Sequence, residues 1–251
     1  MEIRPPCKQE EEHLRRLWKI AFGDPDSFLD LFFSTAYSSD RCRCIWEDSK
    51  LAAVLYWFDC SLRDQKLAYI YAVATHPDFR GRGLCRMLMA DTHTLLKSKG
   101  YAAALLVPQS SGLRKMYAGM GYRDAGGLEE FTCTATESAV PVRTVRAEEF
   151  TALRRGLLPE GSVLQEGAAL AFLEKQMQFF AGEDFLMAAW AQEETLHAAE
   201  YLGSPEKLPG ILSALGFSRG IIRVPGDSPF AMFHPLEEHA LIPQYFGFAF
   251  D

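Results

Sequence analysis

Residues 69–89, YIYAVATHPDFRGRGLCRMLM, constrain this chain more than any other stretch. An apolar, strand-like run, Tyr69–Val73, ends in a polar turn at Thr75, His76 and Pro77. Arg80, Gly81, Arg82 and Gly83 follow, and an amphipathic helix then opens with Leu84, Met87 and Leu88. This order brings the orphan amides of a first helical turn and the positive end of the helix dipole into one small volume. Such a volume suits a pyrophosphate. Gly81 and Gly83 allow close backbone approach because neither carries a Cβ, and Arg80 and Arg82 add charge-assisted donors. R-G-R-G alone would also fit a solvated basic turn; the flanking strand, proline and helix argue against that reading.

Other phosphate loops do not fit. A P-loop needs a Lys-Ser/Thr pair after its glycines, and a dinucleotide fingerprint needs a third glycine where this chain has Arg86. The spacing R-x-x-G-x-(small), here Arg80, Gly83 and Cys85, preceded by V-x-T-x-P, instead resembles the acetyl-CoA-binding motif of the GNAT superfamily of N-acetyltransferases. The resemblance implies acetyl-CoA as cosubstrate, held along Arg80, Gly81, Arg82, Gly83, Leu84, Cys85 and Arg86. It further implies that the thioester lies between two splayed strands, here Tyr69–Thr75 and Ala102–Val107. The backbone at Val73, Ala74 and Thr75 would polarise its carbonyl. Cys85 stands where the family usually has Gly or Ala; it is small, and a catalytic thiol is not expected there.

An amine that attacks a thioester must be oriented, its oxyanion stabilised and its protons handled. The departing thiolate needs a proton, which a phenol of pKa ~10 can supply at hydrogen-bond range. PQSSGLRKMYAGMGY resembles the GNAT segment N-x-x-A-x-x-x-Y-x-x-x-G-F, so Tyr117 falls on the family's general acid and Tyr122 on its Phe. Ser110 takes the Asn position, where a hydroxyl replaces in part an amide contact to pantetheine. Without the motif Tyr117 reads better as a core tyrosine on an amphipathic helix; the motif favours the acid.

No general base is legible. Tyr69–Thr75 contains no carboxylate, which leaves Asp59, His76, the terminal Asp251 or a water relay. The stretch V-A-T-H-P-D-F-R-G-R-G-L and the tandem arrangement are also similar to Eis-type multi-domain GNAT enzymes, in which the terminal carboxylate is assigned as base. That resemblance is what puts Asp251 among the alternatives.

The chain is 251 residues long, with 48% hydrophobic and 24% charged residues, enough for one large or two small soluble domains. No apolar run reaches the roughly 18 residues that span a bilayer, and MEIRPPCKQEEE is not a signal peptide, so a cytoplasmic protein without a membrane partner is expected. Six cysteines lack zinc spacing, and no metal is expected. Cys42 and Cys44 would share one face of a strand as reduced packing residues. The net charge of −7 disfavours nucleic acid and is compatible with a cationic amine, either a small molecule or a peptide. Homo-oligomerisation stays open.

Along residues 1–137 the patterns predict β-α-α-β-β-β-α-β-α-β-β, a mixed α/β sheet with helices on both faces, which is the order of a GNAT domain. The helices carry Leu14, Leu17, Trp18 and Ala21, then Phe28, Leu31 and Phe32. Arg41–Trp46 and Leu51–Phe58 form a hairpin, and Gly100 ends the helix that begins at Gly83. Residues 138–251 roughly repeat the order, with strands at Val142–Val145 and Phe246–Phe250 and a long helix at Ser162–Phe180. The repeat reads as a second, degenerate GNAT-like domain; an unrelated α+β cap is the alternative. At the corresponding loop it offers only Gly203, Ser204, Pro205 and Glu206, so it is expected to hold no CoA and to shape the acceptor site. The function expected is transfer of acetyl from acetyl-CoA to a primary amine by direct attack in a ternary complex. The rival is a non-catalytic acyl-CoA-binding sensor.

Overall fold

Strands form where β-branched, aromatic and small apolar residues run together. The computed structural model describes residues 1–249. The first such run gives β1 (Glu2–Arg4), β2 (Cys42–Glu47), β3 (Lys50–Leu62), β4 (Gln65–Thr75) and β5 (Ala103–Leu106). Helices α1 (Glu11–Phe22) and α2 (Asp26–Thr35) lie between β1 and β2, and α3 (Leu84–Ser98) connects β4 to β5. Helix α4 (Ser111–Ala118) and strand β6 (Arg123–Thr134) follow. Asp48 and Ser49 both have positive φ, 49° and 64°, as a tight two-residue hairpin turn between β2 and β3 requires. Gly100, at φ +76°, ends α3 as the glycine predicted there.

The remaining chain forms β7 (Arg143–Val145), α5 (Ala147–Leu157), β8 (Leu164–Gln165), α6 (Ala168–Leu173), β9 (Gln178–Ala181), β10 (Leu186–Gln192) and β11 (Thr195–Leu202). Helix α7 (Leu208–Leu215), β12 (Arg219–Pro225) and β13 (Ser228–Pro235) complete it. The mixed α/β class is as expected, and the repeat is clearer in pairing than in sequence. β1, β2, β3 and β4 pair antiparallel in turn, and β4 pairs parallel with β5. β7, β9, β10 and β11 do the same, and β11 pairs parallel with β12. Each copy also has a register shift opposite its fourth strand, at Val54/Tyr56 and at Ala188/Ala189.

Two compact units result, and a cut at 137/138 does not follow them. The first comprises Met1–Leu106, Ser110–Arg123 and Phe233–Leu241; the second comprises Val107–Gln109, Asp124–Met232 and the described chain from Ile242. The reason is the fate of two strands. β6, from Asp124 on, pairs antiparallel with β12 in the second unit. The end of β13 returns to the first unit, where the amides of Leu236 and Glu237 donate to the Ala102 carbonyl at 2.8 and 3.1 Å.

In the first unit the core gathers on β3, whose residues Leu51–Phe58 are all buried. Leu14, Leu17 and Trp18 of α1, Leu29 and Phe32 of α2, and Leu84, Leu88 and Leu96 of α3 are buried with it. In the second unit Phe150 stacks on Phe179 at 4.2 Å within a cluster that includes Leu173, Leu186, Tyr245 and Phe248. A buried ion pair crosses that core: Arg154 donates to both oxygens of Glu200 at 2.6 and 2.8 Å, and the Tyr245 hydroxyl donates to Glu200 at 2.9 Å.

Two expectations for this half are corrected. The long helix at Ser162–Phe180 does not exist: α6 spans six residues, and Phe179 and Phe180 are buried in β9. Apolar residues buried on every side carry no period that separates helix from strand. Nor do residues 246–249 of the expected Phe246–Phe250 strand form one; Phe248 packs on the Arg154 guanidinium at 4.6 Å instead. Phe250 lies outside the described residues.

Candidate active site

The loop expected to hold phosphate has the backbone that role needs. Gly81 and Gly83 have φ of +74° and +76°, and Gly83 is the N-cap of α3. The first bond of the helix runs from the Met87 amide to the Gly83 carbonyl at 3.1 Å, so the amides of Leu84, Cys85 and Arg86 precede the helical ladder. A Cβ built on either glycine would meet nothing within 4 Å, so the space over the loop is open. Fifteen residues of α3 stand behind it with their dipole directed at that space.

The three arginines are tethered differently. Arg80 donates from Nε to the Thr75 carbonyl at 3.2 Å, joining the loop to the end of β4. Arg82 donates from Nη1 and Nη2 to the two oxygens of Glu47 at 2.7 and 2.8 Å. Arg86 donates from Nη1 to the Gly119 carbonyl at 2.8 Å, tying the first turn of α3 to the end of α4. Neither Glu47 nor Gly119 was signalled by a motif, because both partners are distant in sequence.

A gap opens beside β4. Its parallel pairing with β5 runs from Leu67↔Ala103 to Tyr69↔Leu105 and stops, while β4 continues to Thr75. Ala72 has φ +48°, and the register with β3 slips between Val54 and Tyr56, so β4 carries a bulge where the strands part. The His76 amide donates to the Ala52 carbonyl at 2.9 Å on the β3 side. Successive amides alternate, so that of Ala74 also faces β3, whereas those of Thr75 and Val73 face the gap. Of the three backbone positions nominated by sequence, two therefore offer donors there.

Tyr117 lies in the last turn of α4 and is 6% exposed. Burial, with the Cys85 thiol beside it, pushes its phenol above the ordinary range, so it is fully protonated at neutral pH. Among the described residues its hydroxyl has no hydrogen-bond partner. Burial likewise raises the Cys85 thiol, which agrees with a packing role. Ser110 is the N-cap of α4, its hydroxyl accepting from the Leu113 amide at 3.2 Å.

Residues 2–125 match the family model described as an acetyltransferase (GNAT) domain. This part of the chain is a GNAT domain. Solved structures extend the likeness in fold to both units. A GCN5-related N-acetyltransferase from Kribbella flavida is 16% identical with a TM-score of 0.75, covering 95% of this chain and 73% of that one. A GCN5-related N-acetyltransferase from Anabaena variabilis is 15% identical with a TM-score of 0.72, covering 94% and 73%. Eis1 from Mycobacterium abscessus is 11% identical with a TM-score of 0.67, covering 94% and 74%. None of the curated proteins matches the sequence.

Within the GNAT domain the suggested bases fare poorly. Asp59 is opposite Ala68, six positions before Ala74 and thus ~20 Å along the strand from that residue. It accepts from the Tyr101 hydroxyl and pairs with Arg41 and Lys66 at 3.6 and 3.9 Å. His76 uses Nδ1 to accept from the Asp78 amide at 3.3 Å, the geometry of a turn cap. Asp251 lies outside the described residues. No group of three or more His, Cys, Asp or Glu suited to a metal occurs among the described residues. No described helix is long and apolar enough to cross a membrane.

Proposed function

We propose that the first unit transfers an acetyl group from acetyl-CoA to a primary amine. The single observation that carries this reading is the coincidence, in one GNAT domain, of an open two-glycine helix N-terminus and a strand gap faced by the amides of Val73 and Thr75. The first suits a pyrophosphate and the second a thioester carbonyl. Arg80 joins the two features directly, through its bond to the Thr75 carbonyl.

When bound, acetyl-CoA supplies an acetyl group activated as a thioester. The amides of Leu84, Cys85 and Arg86, with Arg80 and Arg82, hold the pyrophosphate, and Gly81 and Gly83 admit it. The Thr75 and Val73 amides polarise the carbonyl and bear the charge that grows on its oxygen. The neutral amine nitrogen forms the C–N bond in a ternary complex as the C–S bond breaks toward sulfur. The proton the nitrogen then sheds passes to water, from which the Tyr117 oxygen is later reprotonated. Tyr117 gives its hydroxyl proton to that sulfur. Burial of the side chain keeps that proton in place at neutral pH, and the phenol releases it only as charge grows on the adjacent sulfur. Ser110 caps the helix that carries Tyr117 and, on the family resemblance, would contact pantetheine through its hydroxyl.

The second unit has no equivalent loop. Between β11 and α7 stand Gly203, Ser204, Pro205, Glu206 and Lys207; Pro205 and Pro209 remove two amides, Glu206 adds the wrong charge, and Lys207 is paired with Asp184. Glu200, just past the pairing of β11 with β12, is closed in by Arg154 and Tyr245. This unit is proposed to bind no CoA and to contribute to acceptor choice.

Free CoA measured over time with a panel of primary amines tests the reading. Amine-dependent release is expected. Tight CoA binding with no turnover on any amine points to a sensor.

A further inference from the structure

We propose that Tyr122, His93 and His234 are positioning residues for Tyr117, and that the returning segment Phe233–Leu241 is a working part of the catalytic unit. The proposal rests on the reading of Tyr117 as the acid.

The backbone first ties the two tyrosines together. The Tyr122 amide donates to the Tyr117 carbonyl at 3.2 Å, and the Met120 amide to the same carbonyl at 2.8 Å. Their rings meet edge to face at 5.8 Å and 63°, so a rotation of Tyr122 displaces Tyr117. Tyr122 is itself fixed at both ends. It is 3% exposed, and its hydroxyl lies 2.8 Å from Nε2 of His93. His93 belongs to α3, the helix whose first turn forms the phosphate loop. The phenol and the pyrophosphate site therefore share one rigid element through Tyr122, besides the Arg86 link to Gly119.

His234 completes the brace from the far end of the chain. Its ring stacks on His93 at 4.2 Å and 13° and lies 5.1 Å from the Tyr122 ring. It also presses on the turn after Tyr117. A Cβ at Gly121, whose φ is +92°, would come within 3.0 Å of its Cε1. Two imidazolium rings could not hold that stack. Burial, and then His234, lower the His93 pKa to about 3, and burial lowers that of His234 as well, so both rings are neutral where the enzyme works. His234 is held by its own segment. Leu236 and Glu237 donate to the Ala102 carbonyl, the Gln65 side chain donates to the His239 carbonyl at 2.9 Å, and the Leu241 amide donates back to Gln65 at 2.8 Å. The spacing of a phenol from its leaving group matters steeply, since misplacement by about 1 Å costs on the order of 10² in rate.

The test is steady-state kinetics on Tyr122→Phe, His234→Ala and His234→Phe, each alone and combined with Tyr117→Phe. Tyr122→Phe and His234→Ala are expected to lower kcat about three- to ten-fold and to leave KM for acetyl-CoA within about two-fold. His234→Phe, which keeps a flat ring in the stack, is expected to recover most of kcat. In the Tyr117→Phe background neither loss recurs, because a group that acts through Tyr117 has nothing left to position. An unchanged kcat in Tyr122→Phe and His234→Ala overturns the proposal, and so does the same fractional loss in both backgrounds. A wild-type protein with no turnover overturns the acetyltransfer reading first. Turnover that falls in Tyr117→Phe alone overturns only the brace.

Discussion

Arg82, at the centre of the phosphate-type loop, is bonded by both terminal nitrogens to the carboxylate of Glu47, at 2.7 and 2.8 Å. Arg82 in turn holds the Glu47 carboxyl below the usual carboxylate range, so Glu47 is an anion at neutral pH beside a site meant for anions. A bound pyrophosphate competes with Glu47 for the same guanidinium and is repelled by its charge. Glu47→Gln is expected to tighten acetyl-CoA binding about two- to five-fold, the range of an exposed pair. Titration calorimetry checks this; weaker binding would mean that Glu47 serves to orient Arg82.

Gly83→Val acts on the backbone instead. Its φ of +76° is strained for a β-branched residue, and the added side chain fills the open space over the loop. CoA affinity is expected to fall by more than about ten-fold with the fold retained, as seen by calorimetry and circular dichroism. Unaltered affinity would place the pyrophosphate elsewhere.

Glu200→Ala strands Arg154 as an uncompensated charge in the core of the second unit, where both side chains are at most 1% exposed. A loss of about 3–5 kcal/mol is expected in denaturant unfolding. The double replacement Arg154→Met with Glu200→Leu is expected to recover much of it. A loss below about 1 kcal/mol for Glu200→Ala would show that the pair is hydrated.

His93 makes stability depend on pH. Its folded pKa of about 3 lies below the ordinary histidine value of 6.5, so the unfolded chain binds more protons between those limits. Stability is therefore full above pH 6.5 and declines as pH falls toward 3, by up to about 1.4 kcal/mol per pH unit. The groups nearest it are neutral His234 and Tyr122, with Arg123 acting on His234. Melting temperature is expected to fall more steeply between pH 7 and 5 in the wild type than in His93→Phe. Equal slopes would contradict the low pKa.

Much of the first unit was legible in the sequence because its signals are local. The glycines of R-G-R-G dictate a loop, Gly100 a helix end, and the run around Tyr69 a strand. What escaped depends on distant partners. Glu47 meets Arg82 across 35 positions and Gly119 meets Arg86 across 33. His234 reaches His93 only because β13 returns to the first unit. Tyr122 carried a motif position, yet nothing local announced that its hydroxyl would meet His93. In the second unit, Phe179 and Phe180 sit in a strand buried on both faces, which leaves no period to read.

The most direct test of the acetyltransfer reading is a paired measurement of acetylated amine and free CoA, with wild type and Tyr117→Phe compared at matched acetyl-CoA occupancy. The expected result is one acetylated amine per CoA released, with kcat lower on the order of 10² in Tyr117→Phe and acetyl-CoA affinity unchanged. CoA release without acetylated amine, or equal turnover in the two proteins, would contradict it.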